Sequence, residues 1–393
     1  MKKLPVRQLP VSSRRVFVRV DFNTPIDQHG EIADDTRIRA ALPTIRWLVE
    51  QRAIVVLGSH LGKPKGKRDL RFSLQPVAKR LEELLEQKVV FAPDCIGSEV
   101  VQLLRNLTRG SVVLLENLRF HPGEEKKELP FAQALASLVD FYVNDAFGMA
   151  HRAHASTFGM PRFFAQPAAG FLMERELDYL SKVLGSPTRP FVVIIGGAKI
   201  SDKAGVIKHL LPKVDRLLIG GGVAFTFLRA YGYGIGKSIW DPNLMDEVEK
   251  TKNNPQIVLP CDVKVATTTD GGDAKTVEIS AIPEDAIGLD IGERTVAKFE
   301  EIISGAQTIV WAGPMGLFEK EPFSNGTKAI VEALGRATAR GAITVVGGGD
   351  TVAAVHMAGT TEKISHISTG GGATLEFLEG KTLPGVAVLA DSE

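Results

Sequence analysis

Residues 343–351 read ITVVGGGDT, and a passage of the same kind recurs at 191–203 as FVVIIGGAKISDK. A run of four or five apolar residues, bare glycines, then a segment able to start a helix is how a buried strand, its turn and its crossover helix look in a parallel sheet. Outward from these two junctions, further short apolar runs lie at 217–219, 257–259 and 308–311. In the first half they lie at 16–20, 53–57, 112–115 and 141–143, with 89–91 as a weaker member. The class read from this alternation is α/β. A single core stops growing near roughly 250 to 300 residues, so 393 residues predict two domains. The expectation is two similar-sized doubly wound, Rossmann-like parallel-sheet domains separated by a cleft. Periodicity is interrupted by Pro161, Pro167 and Gly170, which puts the boundary at about residue 170.

Composition narrows the function classes. Hydrophobic residues make up 44% and charged residues 24%, as in ordinary globular chains. A net charge of +1 provides no global field for nucleic acid or an anionic membrane, so any anion site must be local. No apolar stretch reaches membrane-spanning length, and the basic opening MKKLPVRQLPVSSRR is broken by Pro5 and Pro10 with no apolar run behind it. The two cysteines, Cys95 and Cys261, form no CxxC pair, which argues against a disulfide framework or a zinc site and suits a reducing, cytoplasmic setting.

The residues just after each strand bind ligands in open α/β sheets, and here the halves differ. The first half places polar side chains there: Arg19, Asp21 and Asn23; His60 and Lys63; Arg119; then His151, Arg152 and His154. Guanidinium groups pair bidentately with carboxylate and phosphate, so this set suits a small, multiply anionic ligand. The second half places glycines there, at 196–197, 220–222, 313, 347–349 and 370–372. Glycine lets a phosphate approach bare backbone N–H groups at a helix start. One such junction could equally serve close packing; five in one domain point to a nucleotide. Lys199 and Lys203 could face its phosphates from one helix side, and Asp350 could hold a divalent cation or simply cap a helix. No GxxxxGK[ST] loop follows a strand, and no GxGxxG with an acidic partner is present, which weakens the P-loop and dinucleotide readings.

Taken in order, RVDFNTP (19–25), DDTRI (34–38), SHLGKPKG (59–66), LLENLRF (114–120) and NDAFGMAHRAHAS (144–156) resemble the substrate-domain motifs of the phosphoglycerate kinase family. GGAKISDK (196–203), IGGGVAFTFL (219–228), WAGPMGLFE (311–319), GGGDT (347–351) and STGGGATLEFLEGKTLPGV (368–386) resemble its nucleotide-domain motifs. The resemblance implies a 3-phosphoglycerate-binding domain over 1–170, with a tail at 380–393 returning to it, and a magnesium-nucleotide domain over 171–379. It implies that Asp21, Asn23, Arg37, His60, Lys63, Arg119 and Arg152 bind the acid. Gly197, Ala198, Lys199, Lys203, Gly221, Pro314, Glu319, Gly348, Gly349, Asp350 and Thr351 would bind ATP or ADP, with Mg2+ on Asp350. Lys63, Met149, Val223 and Ala312 stand where the family usually has Arg, Thr, Met and Asn. The implied reaction moves a phosphoryl group between 1,3-bisphosphoglycerate and ADP, in a monomer that closes its domains. The acceptor in the reverse direction is a carboxylate, ionised at neutral pH because its pKa is near roughly 4. No general base is then needed, and Arg37, Lys199 and the backbone of Gly371 and Gly372 are the groups expected to stabilise an in-line transition state. The competing readings are an NAD-dependent oxidoreductase and a non-catalytic nucleotide-binding protein.

Overall fold

The computed structural model of the protein describes residues 2–198, 201 and 203–392. Two six-stranded parallel sheets organise it. The first contains β1 (Arg15–Arg19), β2 (Ile54–Gly58), β3 (Val89–Phe91), β4 (Val112–Leu114), β5 (Phe141–Asn144) and β6 (Ala168–Ala169), in the order β3-β4-β2-β1-β5-β6. The second unit contributes β7 (Phe191–Ile195), β8 (Arg216–Ile219), β9 (Ile257–Val258), β10 (Asp262–Ala266), β11 (Lys275–Glu278), β12 (Ile287–Ile291), β13 (Thr308–Ala312), β14 (Ile343–Gly347) and β15 (His366–Ile367). Its large sheet runs β15-β14-β13-β7-β8-β9. Helices cover both faces of such sheets, and the central strands are accordingly buried throughout: every residue of β7 and β13 is buried. The α/β class and the paired doubly wound sheets are thus as the apolar runs indicate.

The strand starts and ends differ from the sequence reading by a residue or so, and three features were not read at all. Strands β6 and β15 are two residues long, too short to carry a period. The third is a small antiparallel sheet, β11-β10-β12, whose middle strand DVKVA packs Val263 and Val265 against Phe225, Leu228 and Ile235. Strand β11 is exposed at three of its four positions, so its hydrophobic signal is weak.

The chain divides into two compact units, Met1–Asp178 with Thr382–Glu393, and Tyr179–Lys381. The division falls inside the helix Phe171–Gly185, past the Pro- and Gly-containing stretch at 161–170. The first turn of that helix is anchored in the first unit. Thr44 Oγ1 accepts the Phe171 N–H at 2.9 Å, and Asp145 Oδ1 accepts those of Leu172 and Met173 at 2.9 and 3.2 Å. The last segment is held to the first unit by main-chain bonds: Leu4 N–H to Ala390 O at 2.8 Å and Gly385 N–H to Ala150 O at 2.8 Å. Lys3 adds its ammonium, donating to Leu389 O at 3.0 Å and pairing with Asp391 at 2.7 Å.

Candidate functional site

In the first unit, the carboxyl ends of β1, β2 and β4 converge on a polar cluster. Asp21 accepts from Arg37 Nη1 at 2.6 Å, and its other oxygen lies 3.9 Å from His60 Nδ1. Asn23 Oδ1 accepts the Gly62 N–H at 2.8 Å, while Arg119 Nη1 donates to Gly62 O at 2.8 Å. Gly62 is required there: its φ is +60°, and a Cβ would sit 2.4 Å from the Phe72 ring. So Asp21, Asn23, Arg37, His60 and Arg119 form one connected group. Lys63 is exposed on the following loop. Arg152 is exposed on another, near enough to act electrostatically on His154. Arg37 belongs to the first turn of the helix Thr36–Glu50, which holds no acidic residue. A cation at the positive end of a helix is unfavourable, so Asp21 and the site, rather than helix stability, account for its place.

Beneath this cluster runs a buried network that the sequence reading only partly anticipated. Arg19 is fully buried. Its Nε donates to Ser156 Oγ at 2.8 Å, Nη1 donates to Val20 O, and Nη2 lies 3.4 Å from His60 Nδ1. Ser156 in turn donates its hydroxyl to Glu124 at 2.6 Å and its N–H at 2.9 Å. Buried opposite charges joined through a hydroxyl satisfy one another and hold the loops rigid. Glu124 and Ser156 were missed because nothing in their local spacing separates them from surface residues. Burial, then the neighbouring Arg19, Arg119 and Arg37, holds the pKa of His60 well below the usual histidine value. For His154, burial followed by Arg119 and Arg19 pushes it down to about 3. Both rings are therefore neutral near pH 7, and the positive charge of the cluster comes from its arginines.

In the second unit, a cavity of about 460 Å³ opens at the ends of β13 and β14. Of the expected residues it is lined by Lys203, Gly348, Gly349, Asp350, Thr351, Gly371 and Gly372, and additionally by Ser201, Gly313, Glu376, Glu379 and Lys381. Gly348, at φ +90°, is the N-cap of the helix Gly349–Met357, so Asp350 stands in the first turn with an exposed carboxylate and is not the cap. Thr351 is buried and its Oγ1 accepts the Gly313 N–H at 2.6 Å, tying the two strand ends together. Gly371, at φ +52°, is the N-cap of Gly372–Leu378.

Gly197, Gly221 and Pro314 do not line the cavity. They form a backbone junction beside it: Gly197 N–H donates to Pro314 O at 2.7 Å, and a Cβ on Gly221 would lie 2.6 Å from Gly197 N. Ala198 belongs to this junction as well, since a Cβ on Gly222 would lie 3.1 Å from its Cα. A Cβ on Gly197 would stand 3.3 Å from the Lys203 ammonium, which places that lysine against the junction. The helix after this junction is Ala204–Leu210 with Lys203 as N-cap. Lys199 itself lies outside the described residues. Glu319 is exposed beyond β13, and Val223 is fully buried in the helix Gly221–Ala230. Ala312 is the last residue of β13 and touches the cavity with no polar group.

A magnesium ion takes oxygen ligands, keeps several waters and is usually held by one or two carboxylates together with substrate phosphates. The exposed Asp350 carboxylate on a cavity with Lys203 and glycine backbone fits that requirement.

The family model for phosphoglycerate kinase matches residues 6–381. The chain belongs to the phosphoglycerate kinase family. It is 51% identical over 389 residues to a phosphoglycerate kinase of Anaeromyxobacter sp. (strain Fw109-5), covering 97% of this chain and 98% of that one. It is 50% identical over 400 residues to one of Thermosipho africanus, covering 100% and 99%. Among solved structures, phosphoglycerate kinase from Coxiella burnetii superposes with a TM-score of 0.88 at 39% identity, covering 98% of each chain. The chain is accordingly a phosphotransferase of the phosphoglycerate kinase family, whose acceptor is a carboxyl group. Among the described residues, no helix is long and apolar enough to cross a membrane.

Proposed function

We propose that the first unit binds 3-phosphoglycerate or 1,3-bisphosphoglycerate on Asp21, Asn23, Arg37, His60, Lys63, Arg119 and Arg152, and that the second binds ATP or ADP with Mg2+. The nucleotide phosphates lie in the cavity, on Lys203, Gly348, Gly349 and Thr351. The junction of Gly197, Ala198, Gly221 and Pro314 supports them, Lys199 adds a second ammonium to them, and Glu319 contacts the nucleotide at the rim. The observation that carries this reading is a cavity whose wall combines bare glycine backbone with the ammonium groups of Lys203 and Lys381 and the carboxylates of Asp350, Glu376 and Glu379. That combination suits a polyphosphate with a divalent cation and little else.

Asp350 holds the ion, which when bound neutralises charge on the phosphate oxygens. The chain's own residues do the rest. Arg37 orients the acid and stabilises charge on the transferring group from its side. Lys199 does so from the nucleotide side, and the N–H groups of Gly371 and Gly372 supply fixed donors. His60, neutral, offers a hydrogen bond rather than a charge. The carboxylate acceptor arrives ionised, so no group of the protein needs to remove a proton. Ligands held on separate units must be brought together for in-line transfer, which makes closure part of the cycle. The same reading makes the protein a cytoplasmic monomer that acts on small molecules alone, in keeping with its net charge of +1.

The test is ATP formation from 1,3-bisphosphoglycerate and ADP, with and without magnesium, in the wild type and Asp350→Ala. Turnover in the wild type that needs the metal, and a much weaker metal dependence in the variant, support the assignment. Identical magnesium titrations in the two proteins remove Asp350 from the site.

A further inference from the structure

Strands β3 and β4 are parallel neighbours at one edge of the first sheet, so the loops leaving their carboxyl ends arrive side by side. One loop brings Asp94 and Cys95, the other His121. His121 Nε2 lies 2.6 Å from Asp94 Oδ1, and ligand atoms of Asp94, Cys95 and His121 all fall within 4.8 Å of one another. All three are held in place, Asp94 Oδ1 by the Cys95 N–H at 2.6 Å. The imidazole stacks on Phe131 with centroids 4.9 Å apart, and the Cys95 thiol donates to Glu116 O at 2.9 Å.

The geometry points to a divalent transition-metal site formed by Asp94, Cys95 and His121, of the kind that takes Zn2+ or its spectroscopic substitute Co2+. Sulfur, imidazole nitrogen and carboxylate oxygen are a donor set for these ions, whereas Mg2+ and Ca2+ take oxygen. With metal–ligand bonds of about 2.0 to 2.3 Å, tetrahedral ligand atoms stand roughly 3.3 to 3.8 Å apart. The His121–Asp94 pair therefore has to open by about an ångström from its hydrogen-bonded separation. Both side chains have room to do so, being 26% and 41% exposed, and that exposure leaves the fourth position to water. A histidine–carboxylate pair alone would be an ordinary surface contact. The sulfur beside it makes the set a metal's.

Binding exchanges a proton for the ion: the S–H bond breaks, a sulfur–metal bond forms, and the proton leaves to solvent with no change of oxidation state. One thiolate and one carboxylate then balance the divalent charge. Burial first, then Asp94, Glu116 and Glu124, raises the Cys95 pKa well above its ordinary value, with Arg68 opposing. The carboxylates beside the thiol also attract a cation. The sequence argued against zinc because Cys95 and Cys261 are far apart. It had no means of bringing His121 to Cys95. His121 also sits two residues after Arg119, so an occupied site would brace the turn that carries this arginine.

The experiment titrates the full-length protein with Co2+, free of nucleotide, following thiolate-to-metal charge-transfer absorption, and then displaces the ion with Zn2+. One equivalent is expected. The band is lost in Cys95→Ser and retained in Cys261→Ser. His121→Gln weakens binding by more than the roughly 10- to 100-fold that loss of an outer-shell partner costs. A band that survives in Cys95→Ser, disappears in Cys261→Ser, or is absent from the wild type overturns the site. Should Cys95→Ser not fold, His121→Gln decides by itself, since an unchanged cobalt affinity there also overturns it.

Discussion

At the strand ends of the first unit the working groups are side chains: Asp21, Asn23, Arg37, His60 and Arg119, held from below by Arg19, Ser156 and Glu124. At the strand ends of the second unit the corresponding positions are glycines, and charge enters from the residues around them, Lys203, Asp350, Glu376, Glu379 and Lys381. The contrast follows from the ligands each unit suits. A small acid offers few atoms, so it is recognised by directional donors whose support must be rigid, which a fully satisfied buried network provides. A polyphosphate tail offers many equivalent oxygens, and backbone N–H groups meet them without any side chain to order. The first surface should therefore fail when atoms are removed, and the second when atoms are added.

Deletion on the first surface gives the largest expected effect. Arg37→Ala lowers kcat by about 10²- to 10³-fold while the fold survives, as loss of one preorganised donor does. Lys199→Ala, its counterpart on the nucleotide side, should match it. Steady-state assays with thermal melts check both, and wild-type turnover in either variant breaks the comparison.

Addition on the second surface separates packing glycines from binding ones. Gly349 has an ordinary φ and open space where a Cβ would go, so Gly349→Ala should leave the melting temperature unchanged. Its methyl keeps a phosphate from the backbone, raising KM for ADP by roughly 10- to 100-fold, the value of one charge-assisted hydrogen bond at about 1.5 to 3 kcal/mol. Gly221→Ala is the contrary case. At φ +56°, with Gly197 N at 2.6 Å and Pro314 O at 2.7 Å from the new carbon, it should destabilise the second unit by about 2 to 3 kcal/mol. Equal stability loss in both variants would mean that the two kinds of glycine are not distinct.

The smallest effect concerns pH. Burial raises Asp290 to about 7 against its bonds from the Gly326 and Ile291 N–H groups. The folded chain thus keeps a proton that the unfolded chain releases near 3.8. Its contribution is full below that value and is lost as pH rises through about 7. Asp145 behaves alike in the first unit, also raised to about 7, chiefly by burial. The neutral His60 and His154 have the opposite sign: below about 6.5 the unfolded chain binds protons that they do not. Asp290→Asn should therefore flatten the loss of second-unit stability between about pH 4 and 7, read by hydrogen exchange. The wild-type slope in that variant would show that Asp290 does not titrate there.

Much of this was legible in the chain itself. Runs such as FVVII announce buried parallel strands because a strand covered on both faces has few positions open to polar side chains. The glycines after them mark places where backbone must come close to something, and polar residues after 16–20 and 53–57 mark the other surface. Local chemistry and period suffice for such readings. Which glycine meets another backbone and which faces the cavity was not legible, since Gly197 and Gly349 look alike in sequence and differ in φ and in what other loops place beside them. The pairing of Glu124 with Ser156 and the meeting of Cys95 with His121 are likewise contacts between distant segments. Composition and spacing act along the chain. These contacts are set by sheet order and burial, which act across it.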